Sequence, residues 1–263
     1  MEKFFGFAKS LIEKGIAVEE CSYGENNLYD VNITDTSDFF FYTQLAKEKN
    51  GKVLDIGCGT GRILKNLFES GYKDLVGMDI SKDMLLMAQE KLGDDGLTPK
   101  LVVGDMRDFS LNEVFSLIII PNCSMIYIYN DEDRKKVFHS VFKHLDVGGV
   151  FAFDFDAEVV PQGETRPWIS SQAIHPKTGE VVLSTVQIKG IHQNLRLMNM
   201  INYRYISAQD AKISVNTSFE ATCDPDKMKD LLENEGFTLR GFYSDYNFSP
   251  YTGGDLCVVV AEK

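Results

Sequence analysis

The amino-acid sequence predicts an α/β fold: a mostly parallel sheet with helices on both faces, an antiparallel C-terminal hairpin, and an inserted antiparallel β-subdomain. Between residues 53 and 155, short apolar segments alternate with helix-like segments, as in buried parallel strands joined by helices. Near the C-terminus, two strand-like segments follow each other with no helix between them, so they must pair antiparallel. The residues between these two regions carry strand patterns that the alternating core does not need.

Local patterns predict each element in turn. Apolar residues at helical spacing from Phe4 to Ile16 predict a first helix, a polar loop follows at 22–36, and a second helix is predicted at 38–49. The predicted strands of the parallel sheet are 53–56, 74–78, 100–103, 115–120 and 150–155, with helices at 61–70, 82–92 and 131–145. A helix at 226–234 precedes the hairpin strands 237–243 and 256–261.

The insertion is predicted to contain strands at 181–189, 195–206 and 211–220. In the last of these, apolar residues such as Ile213 and Val215 alternate with polar residues such as Ser214 and Asn216. Strict alternation is typical of an antiparallel sheet with one face in solvent. We therefore expect a half-exposed sheet in this region.

A glycine-rich loop follows the first strand and opens a helix. Gly57, Gly59 and Gly61 lie between the strand at 53–56 and Arg62, an arrangement that brings backbone N–H groups close to a ligand. A dinucleotide-binding loop needs glycine at the sixth position of its pattern, where this chain has Arg62. The carboxylate of Asp55 repels a pyrophosphate but suits an ammonium group. The alternative is a glycine-rich turn that binds nothing.

Two further carboxylates end the next strands. Asp79 lies ~20 residues past the glycine loop, where a carboxylate is placed to accept both hydroxyls of a ribose. Its alternative role is a helix cap, although Ser81 is the better N-cap for the helix at 82–92. Asp105 ends the third strand and is either a ligand contact or a loop carboxylate. Asp108 is expected to be a solvated turn residue.

The D-x-G-x-G-x-G pattern of residues 55–61 resembles motif I of the class I S-adenosylmethionine-dependent methyltransferases. The resemblance implies a Rossmann-like sheet of seven strands with the last inserted antiparallel, and S-adenosylmethionine as cofactor with S-adenosylhomocysteine as product. In this family an acid at the position of Asp105 takes the adenine amine, and the backbone N–H of Met106 meets a ring nitrogen. The residues expected around the cofactor are Tyr29, Asp55, Gly57, Cys58, Gly59, Thr60, Gly61, Asp79, Ile80, Met84, Gly104, Asp105, Met106 and Asn122, with Cys58 as a small apolar filler.

The methyl-transfer site is expected after the fourth strand, because ligands of such sheets bind beyond the carboxyl ends of the strands at the switch point. DNA and protein amide-type methyltransferases carry N-P-P-Y or D-P-P-Y here. This chain has Pro121-Asn122-Cys123-Ser124 instead, which favours a small-molecule enzyme. Asn122 and Tyr127 are predicted to line the transfer site, with a loop cap and a core aromatic residue as their alternatives.

Further candidates are less specific. The predicted substrate residues are Asp154 and Asp156, at the end of the fifth strand, and Tyr203. Tyr203 and Trp168 are each expected either to pack on the substrate or to belong to the core. His192 is a candidate base, Tyr23 and Tyr29 belong to a segment that covers the cofactor in the family, and His139 and His144 are expected on a surface helix. Arg62 is expected either to pair with a carboxylate of cofactor or substrate, or to lie on a solvated helix face.

Composition excludes several classes of function. The chain has 263 residues and a net charge of −12, and a nucleic-acid substrate is not expected because phosphate contacts require Lys and Arg. Five cysteines without a C-x-x-C pair predict neither disulfides nor a zinc site, and no other metal site is recognisable. We expect no signal peptide, no membrane span and a cytoplasmic location.

These observations predict an S-adenosylmethionine-dependent methyltransferase acting on a small polar molecule, first at nitrogen and second at oxygen. The alternatives are a non-catalytic protein that binds the cofactor and a nicotinamide-dependent oxidoreductase. The predicted organisation is an N-terminal helical lid at 1–50, a cofactor-binding core at 51–156 and 222–263, and the inserted subdomain at 157–221. Small-molecule N-methyltransferases, including those acting on amino sugars, often carry such an insertion. It is expected to roof the active site, to form a homodimer interface, or both.

Overall fold

The computed structural model describes residues 3–16, 18–21, 28–207 and 209–263. The chain forms two compact units, one of residues 1–34 with 159–220, and one of residues 35–158 with 221–263. Tyr23 lies outside the described residues. In chain order the elements are α1 (Gly6–Glu13), β1 (Glu19–Glu20), α2 (Tyr29–Asn32), α3 (Phe39–Lys49), β2 (Val53–Ile56), α4 (Arg62–Glu69), β3 (Leu75–Asp79), α5 (Lys82–Asp94), β4 (Lys100–Val103), β5 (Phe115–Ile120), a 3₁₀ turn (Ser124–Tyr127), α6 (Asp131–His144), β6 (Leu145–Asp156), β7 (Trp168–Ile174), β8 (Val181–His192), β9 (Leu195–Ser207), β10 (Asp210–Ala221), α7 (Pro225–Glu235), β11 (Thr238–Tyr243) and β12 (Leu256–Glu262).

The second unit, here called the core unit, contains the predicted mostly parallel sheet. Its seven strands are ordered β11-β12-β6-β5-β2-β3-β4. β2 to β6 pair in parallel, whereas β12 runs antiparallel to both of its neighbours, β6 and β11. The predicted fold class and its antiparallel C-terminal hairpin are therefore confirmed.

Both faces of this sheet are buried, which explains why its strands are continuously apolar. Along β5, Ile118 and Ile120 pack into one hydrophobic cluster, while Leu117 and Ile119 pack into the cluster on the opposite face. Successive side chains of a strand point to opposite faces, so a strand covered by helices on both sides has few polar positions. The switch point lies between β2 and β5, where the strand order reverses.

The first unit, here called the insertion unit, is built on a sheet of order β1-β10-β9-β8-β7. Ala8 and Leu11 of α1 pack against Ile201 and Val215 of that sheet. The helix at 39–49, predicted to belong to an N-terminal lid, lies in the core unit, and the predicted domain boundaries stay predictions. β7 was not predicted, because its sequence mixes polar and apolar residues without a clear period.

The half-exposed sheet predicted from the alternation in β10 is wrong at this strand, because the polar face is largely buried. Ser214 and Asn216 are both buried. The side chain of Asn202 donates to Asn216 and accepts from Ser184, and Asn32 of α2 donates to the same Asn202 oxygen. Polar side chains can be buried where they satisfy one another's hydrogen bonds, and alternation alone does not reveal this.

Candidate active site

The glycine loop adopts backbone conformations that favour glycine. The φ angles of Gly57, Gly59 and Gly61 are 71°, 54° and 80°. A side chain at Gly61 would lie 2.7 Å from the Leu92 side chain, and one at Gly57 would lie 3.2 Å from that of Ser124. The loop is therefore held close to the segment that follows β5, which places two of the predicted motifs side by side at the switch point.

Asp55, the third residue of β2, lies just before this loop and carries a buried carboxyl group. Its side chain is fully buried, and neither carboxylate oxygen has a hydrogen-bond partner among the described residues. Burial raises the pKa of this carboxyl well above its usual range, Arg62 opposes the rise, and Asp79 and Asp38 add to it. A buried, unsatisfied carboxylate is costly. The site therefore fits a cationic ligand that donates hydrogen bonds, such as an ammonium group.

Asp79 ends β3, as predicted, and its carboxylate also supports the glycine loop. It accepts the backbone N–H of Gly59 at 2.9 Å and that of Ser81 at 2.8 Å. Ser81 is the N-cap of α5, with its hydroxyl accepting the N–H of Met84. An ionised carboxylate has about four acceptor positions, so two loop contacts leave room for ribose hydroxyls. The ribose role of Asp79 stays a prediction.

After β4, the predicted adenine contact Asp105 is already paired with a neighbouring side chain. The carboxylate of Asp105 accepts hydrogen bonds from the guanidinium of Arg107, which holds its pKa below the usual range. An adenine amine at this position would therefore share Asp105 with Arg107. Two apolar side chains lie exposed nearby in sequence, Ile80 after β3 and Val103 at the end of β4. Apolar side chains exposed at the ends of adjacent strands are suited to cover an aromatic ring.

The segment after β5 carries the predicted transfer residues. Asn122 has a φ of 58° and Cys123 a φ of 53°, two consecutive left-handed residues that are not glycine. The Asn122 side chain is exposed, and Tyr127, at the end of the 3₁₀ turn, is about two-fifths exposed at 39%. Tyr127 is therefore not a core aromatic residue, which was its alternative role.

The substrate role predicted for Asp154 requires correction. This side chain is fully buried, and its carboxylate accepts hydrogen bonds from the Tyr42 hydroxyl at 2.6 Å, the Asn122 N–H at 3.2 Å and the Cys123 N–H. Three donors from the protein leave little acceptor capacity for a substrate. Asp156, two residues later, is partly exposed and accepts the N–H of Glu158, and its substrate role stays a prediction.

Arg62 occupies neither of its two predicted environments. Its guanidinium makes two hydrogen bonds with the buried carboxylate of Asp38, at 2.6 and 2.5 Å, and lies over the ring of Phe39. This bidentate pair ties the start of α4 to the start of α3. Asp38 precedes α3, but its side chain makes no capping hydrogen bond to that helix.

The remaining candidates lie elsewhere. Tyr29, His192 and Tyr203 belong to the insertion unit, and their site roles stay predictions. The surface position expected for His144 is wrong: the ring is buried, stacks on Phe109 and accepts the N–H of Leu111. His139 is exposed and pairs with Glu235. Trp168 is about half exposed on β7, so it is not a core residue.

The fold and the site together define a class: a doubly wound α/β unit with a glycine loop after its first parallel strand and a buried carboxylate on that strand. Comparison with known proteins gives a family match over part of this unit. The family model for the methyltransferase domain matches residues 53–149. A crystal structure of an S-adenosylmethionine-dependent methyltransferase from Clostridium acetobutylicum ATCC 824 superposes with a TM-score of 0.73 at 22% identity, covering 89% of this chain and 96% of that chain.

The curated relatives match this chain over only part of their own length. The dTDP-3-amino-3,4,6-trideoxy-alpha-D-glucopyranose N,N-dimethyltransferase of Streptomyces venezuelae is 28% identical over 56% of this chain and 66% of that protein. The dTDP-4-amino-2,3,4,6-tetradeoxy-D-glucose N,N-dimethyltransferase of Saccharopolyspora spinosa is 31% identical over 37% of each. Residues 53–149 of the core unit therefore match the methyltransferase domain family, in agreement with the predicted resemblance, and the structural neighbour confirms the fold.

Proposed function

We propose that this protein binds S-adenosylmethionine and transfers its methyl group to a nitrogen atom of a small polar molecule. The buried carboxylate of Asp55, unsatisfied by the described residues, carries the proposal, because it lies beside the glycine loop and suits the ammonium group of this cofactor. The cofactor supplies a methyl group that is already activated on a sulfonium. Asp55 would hold the cofactor's ammonium, Asp79 its ribose, and the backbone of the glycine loop its carboxylate.

The protein's own contribution to methyl transfer is to position the acceptor and exclude water. The exposed residue Asn122 lies after β5, in the same segment as Ser124, whose side chain approaches the glycine loop at Gly57. An amide there can accept a hydrogen bond from a substrate amine and orient its lone pair. Proximity and orientation supply much of the barrier reduction in such a transfer, so a general base is not required.

Two lines of support favour nitrogen over oxygen. Both relatives named above are N,N-dimethyltransferases of amino sugars by name. Two acidic groups lie at the glycine loop, Asp55 buried on β2 and Asp79 accepting the Gly59 N–H. Such surroundings attract an amine that arrives as a cation and disfavour an anionic acceptor.

The first test is calorimetric titration of the purified protein with S-adenosylhomocysteine and, separately, with NAD. Micromolar binding of S-adenosylhomocysteine alone supports the proposal, and binding of NAD alone contradicts it. Amines and amino sugars are then screened as acceptors by the mass increase of one methyl group. Binding without turnover of any acceptor would instead support a protein that binds the cofactor without catalysis.

Asn122→Ala is expected to lower the turnover number about ten-fold while leaving S-adenosylhomocysteine affinity within about three-fold, because one hydrogen bond to the acceptor is lost. Asn122→Gly is the matched variant: it also removes the amide but accepts the left-handed backbone without strain. Both variants are compared by steady-state kinetics and calorimetry. Full activity of the glycine variant would show that the amide side chain is not used.

We propose that the insertion unit also joins two copies of the chain. Ile174, Val181 and Tyr205 are direct cross-strand neighbours on one face of its sheet and are each about half exposed or more. These three side chains carry no charge, on a chain whose net charge is −12. Two acidic copies can therefore approach each other here with little repulsion.

Ile174→Glu is expected to convert a dimer to a monomer in light scattering. Val147→Glu, a change at an exposed position of the core unit, is not expected to do so. A wild-type monomer would contradict the proposal.

A further inference from the structure

The loop after β5 is held in a conformation that its own sequence does not favour. Asn122 and Cys123 are consecutive left-handed residues, and a Cβ disfavours this region for every residue except glycine. Asparagine tolerates the conformation, but cysteine has no such preference. Strain of this kind persists only where the surroundings over-determine it, and it concentrates at functional sites.

Asp154 holds the loop in this conformation. Its carboxylate accepts the consecutive backbone N–H groups of Asn122 and Cys123, which lie on either side of the Asn122 Cα. The side chain comes from β6, the strand next to β5, and is fully buried. Two N–H groups converging on a single buried carboxylate fix the peptide planes on both sides of the Asn122 side chain.

Tyr42 fixes the carboxylate in turn. Its buried hydroxyl donates to Asp154 at 2.6 Å from α3, and the ring of Tyr42 packs against Phe41 and Tyr246. Burial raises the pKa of the Tyr42 hydroxyl well above its usual range, with Asp154 adding to the rise, so the phenol keeps its proton and donates. The chain of contacts therefore runs from α3 through β6 to the loop that presents Asn122.

We infer that Asp154 and Tyr42 form a positioning device for the methyl-transfer loop, holding Asn122 and Cys123 in the left-handed conformation that aims the Asn122 side chain at the acceptor. The inference rests on the proposed function for its catalytic consequence, but not for its structural content. Asp154 is thus a positioning residue, and it does not touch the substrate.

Asp154→Asn keeps the shape of the side chain but replaces one acceptor oxygen with a donor, so at least one of the three hydrogen bonds is lost. Amide hydrogen exchange of Asn122 and Cys123 is followed residue by residue by NMR in the full-length protein. We expect exchange at these two amides to rise at least about ten-fold, with most other amides of the sheet unchanged. The S-adenosylhomocysteine dissociation constant should stay within about three-fold, while the methyl-transfer rate falls about ten- to a hundred-fold.

Tyr42→Phe removes only the third donor and should change the same two amides in the same direction, by a smaller factor. If Asp154→Asn does not fold, this variant decides the question. Tyr243→Phe is the matched control, because Tyr243 lies in the same aromatic cluster around Phe41 and its change should leave both amides as they are.

Unchanged exchange at Asn122 and Cys123 in the foldable variants would overturn the inference, as would a rise spread evenly over the whole sheet. Equal losses of cofactor affinity and methyl-transfer rate would also overturn it, since a positioning role for the transfer loop predicts a selective loss of rate. If the wild-type protein transfers no methyl group to any acceptor, the proposed function fails, while the exchange measurement still decides whether Asp154 holds the loop.

Discussion

Asp55→Asn is expected to weaken S-adenosylhomocysteine binding about ten- to a hundred-fold and, at the same time, to raise the melting temperature of the cofactor-free protein by several degrees. The two effects have one cause. The carboxylate is buried without a partner among the described residues, so it destabilises the free protein and is compensated only when a cation binds. The amide has the same shape but no charge, so it removes the attraction and the cost of burying a charge, although its polar atoms stay unpaired.

Asp108→Asn is the matched control, since it makes the same chemical change at an exposed aspartate of the core unit. It should alter neither the melting temperature nor the affinity. Thermal unfolding and calorimetric titration of the three proteins measure both quantities. Lower stability of Asp55→Asn with unchanged affinity would show that the carboxylate serves the fold, and would remove the main support for the proposed cofactor site.

The sequence predicts the fold well where the chemistry is local. Continuous apolar strands such as 115–120 are recognisable because both faces of the sheet are buried, and the helix N-cap at Ser81 follows from a single residue type. The burial of Asn216 was missed because it depends on Asn202 from another strand, which in turn is bound by Asn32 from α2. Alternation shows that two faces differ, but it does not show which of them is covered.

The same distinction applies to the site. The glycine loop and the acids that end β2 and β3 lie within one stretch of sequence, so their spacing is informative. Asp154 was expected to face a substrate because it ends a strand at the switch point, but its hydroxyl donor Tyr42 lies 112 residues earlier. Arg62 and Asp38, 24 residues apart, show the same limitation on a smaller scale. Pairing between distant side chains is decided by tertiary packing, which no local pattern records.

The affinity for S-adenosylhomocysteine is expected to rise about ten-fold per pH unit at low pH and then to level off, because binding requires the ionised form of Asp55. Burial raises the pKa of this carboxyl well above its usual range in the free protein, with Asp79 and Asp38 adding to the rise and Arg62 opposing it. Below that raised pKa the carboxyl is protonated. The ammonium of the ligand favours the ionised form, so binding below the raised pKa releases a proton.

The stability of the free protein should change with pH in the opposite direction. A carboxyl whose pKa is raised by folding contributes stability that is fully present below its unfolded pKa and is lost as the pH rises through the folded pKa. The advantage of Asp55→Asn in melting temperature should therefore grow with pH, while its affinity loses the steep dependence. Calorimetry in buffers of different ionisation enthalpy counts the released protons: up to about one per ligand in the wild type and fewer in the variant. A wild-type affinity that does not change across this range would mean that Asp55 is already ionised in the free protein, and that its charge is compensated by groups other than the cofactor.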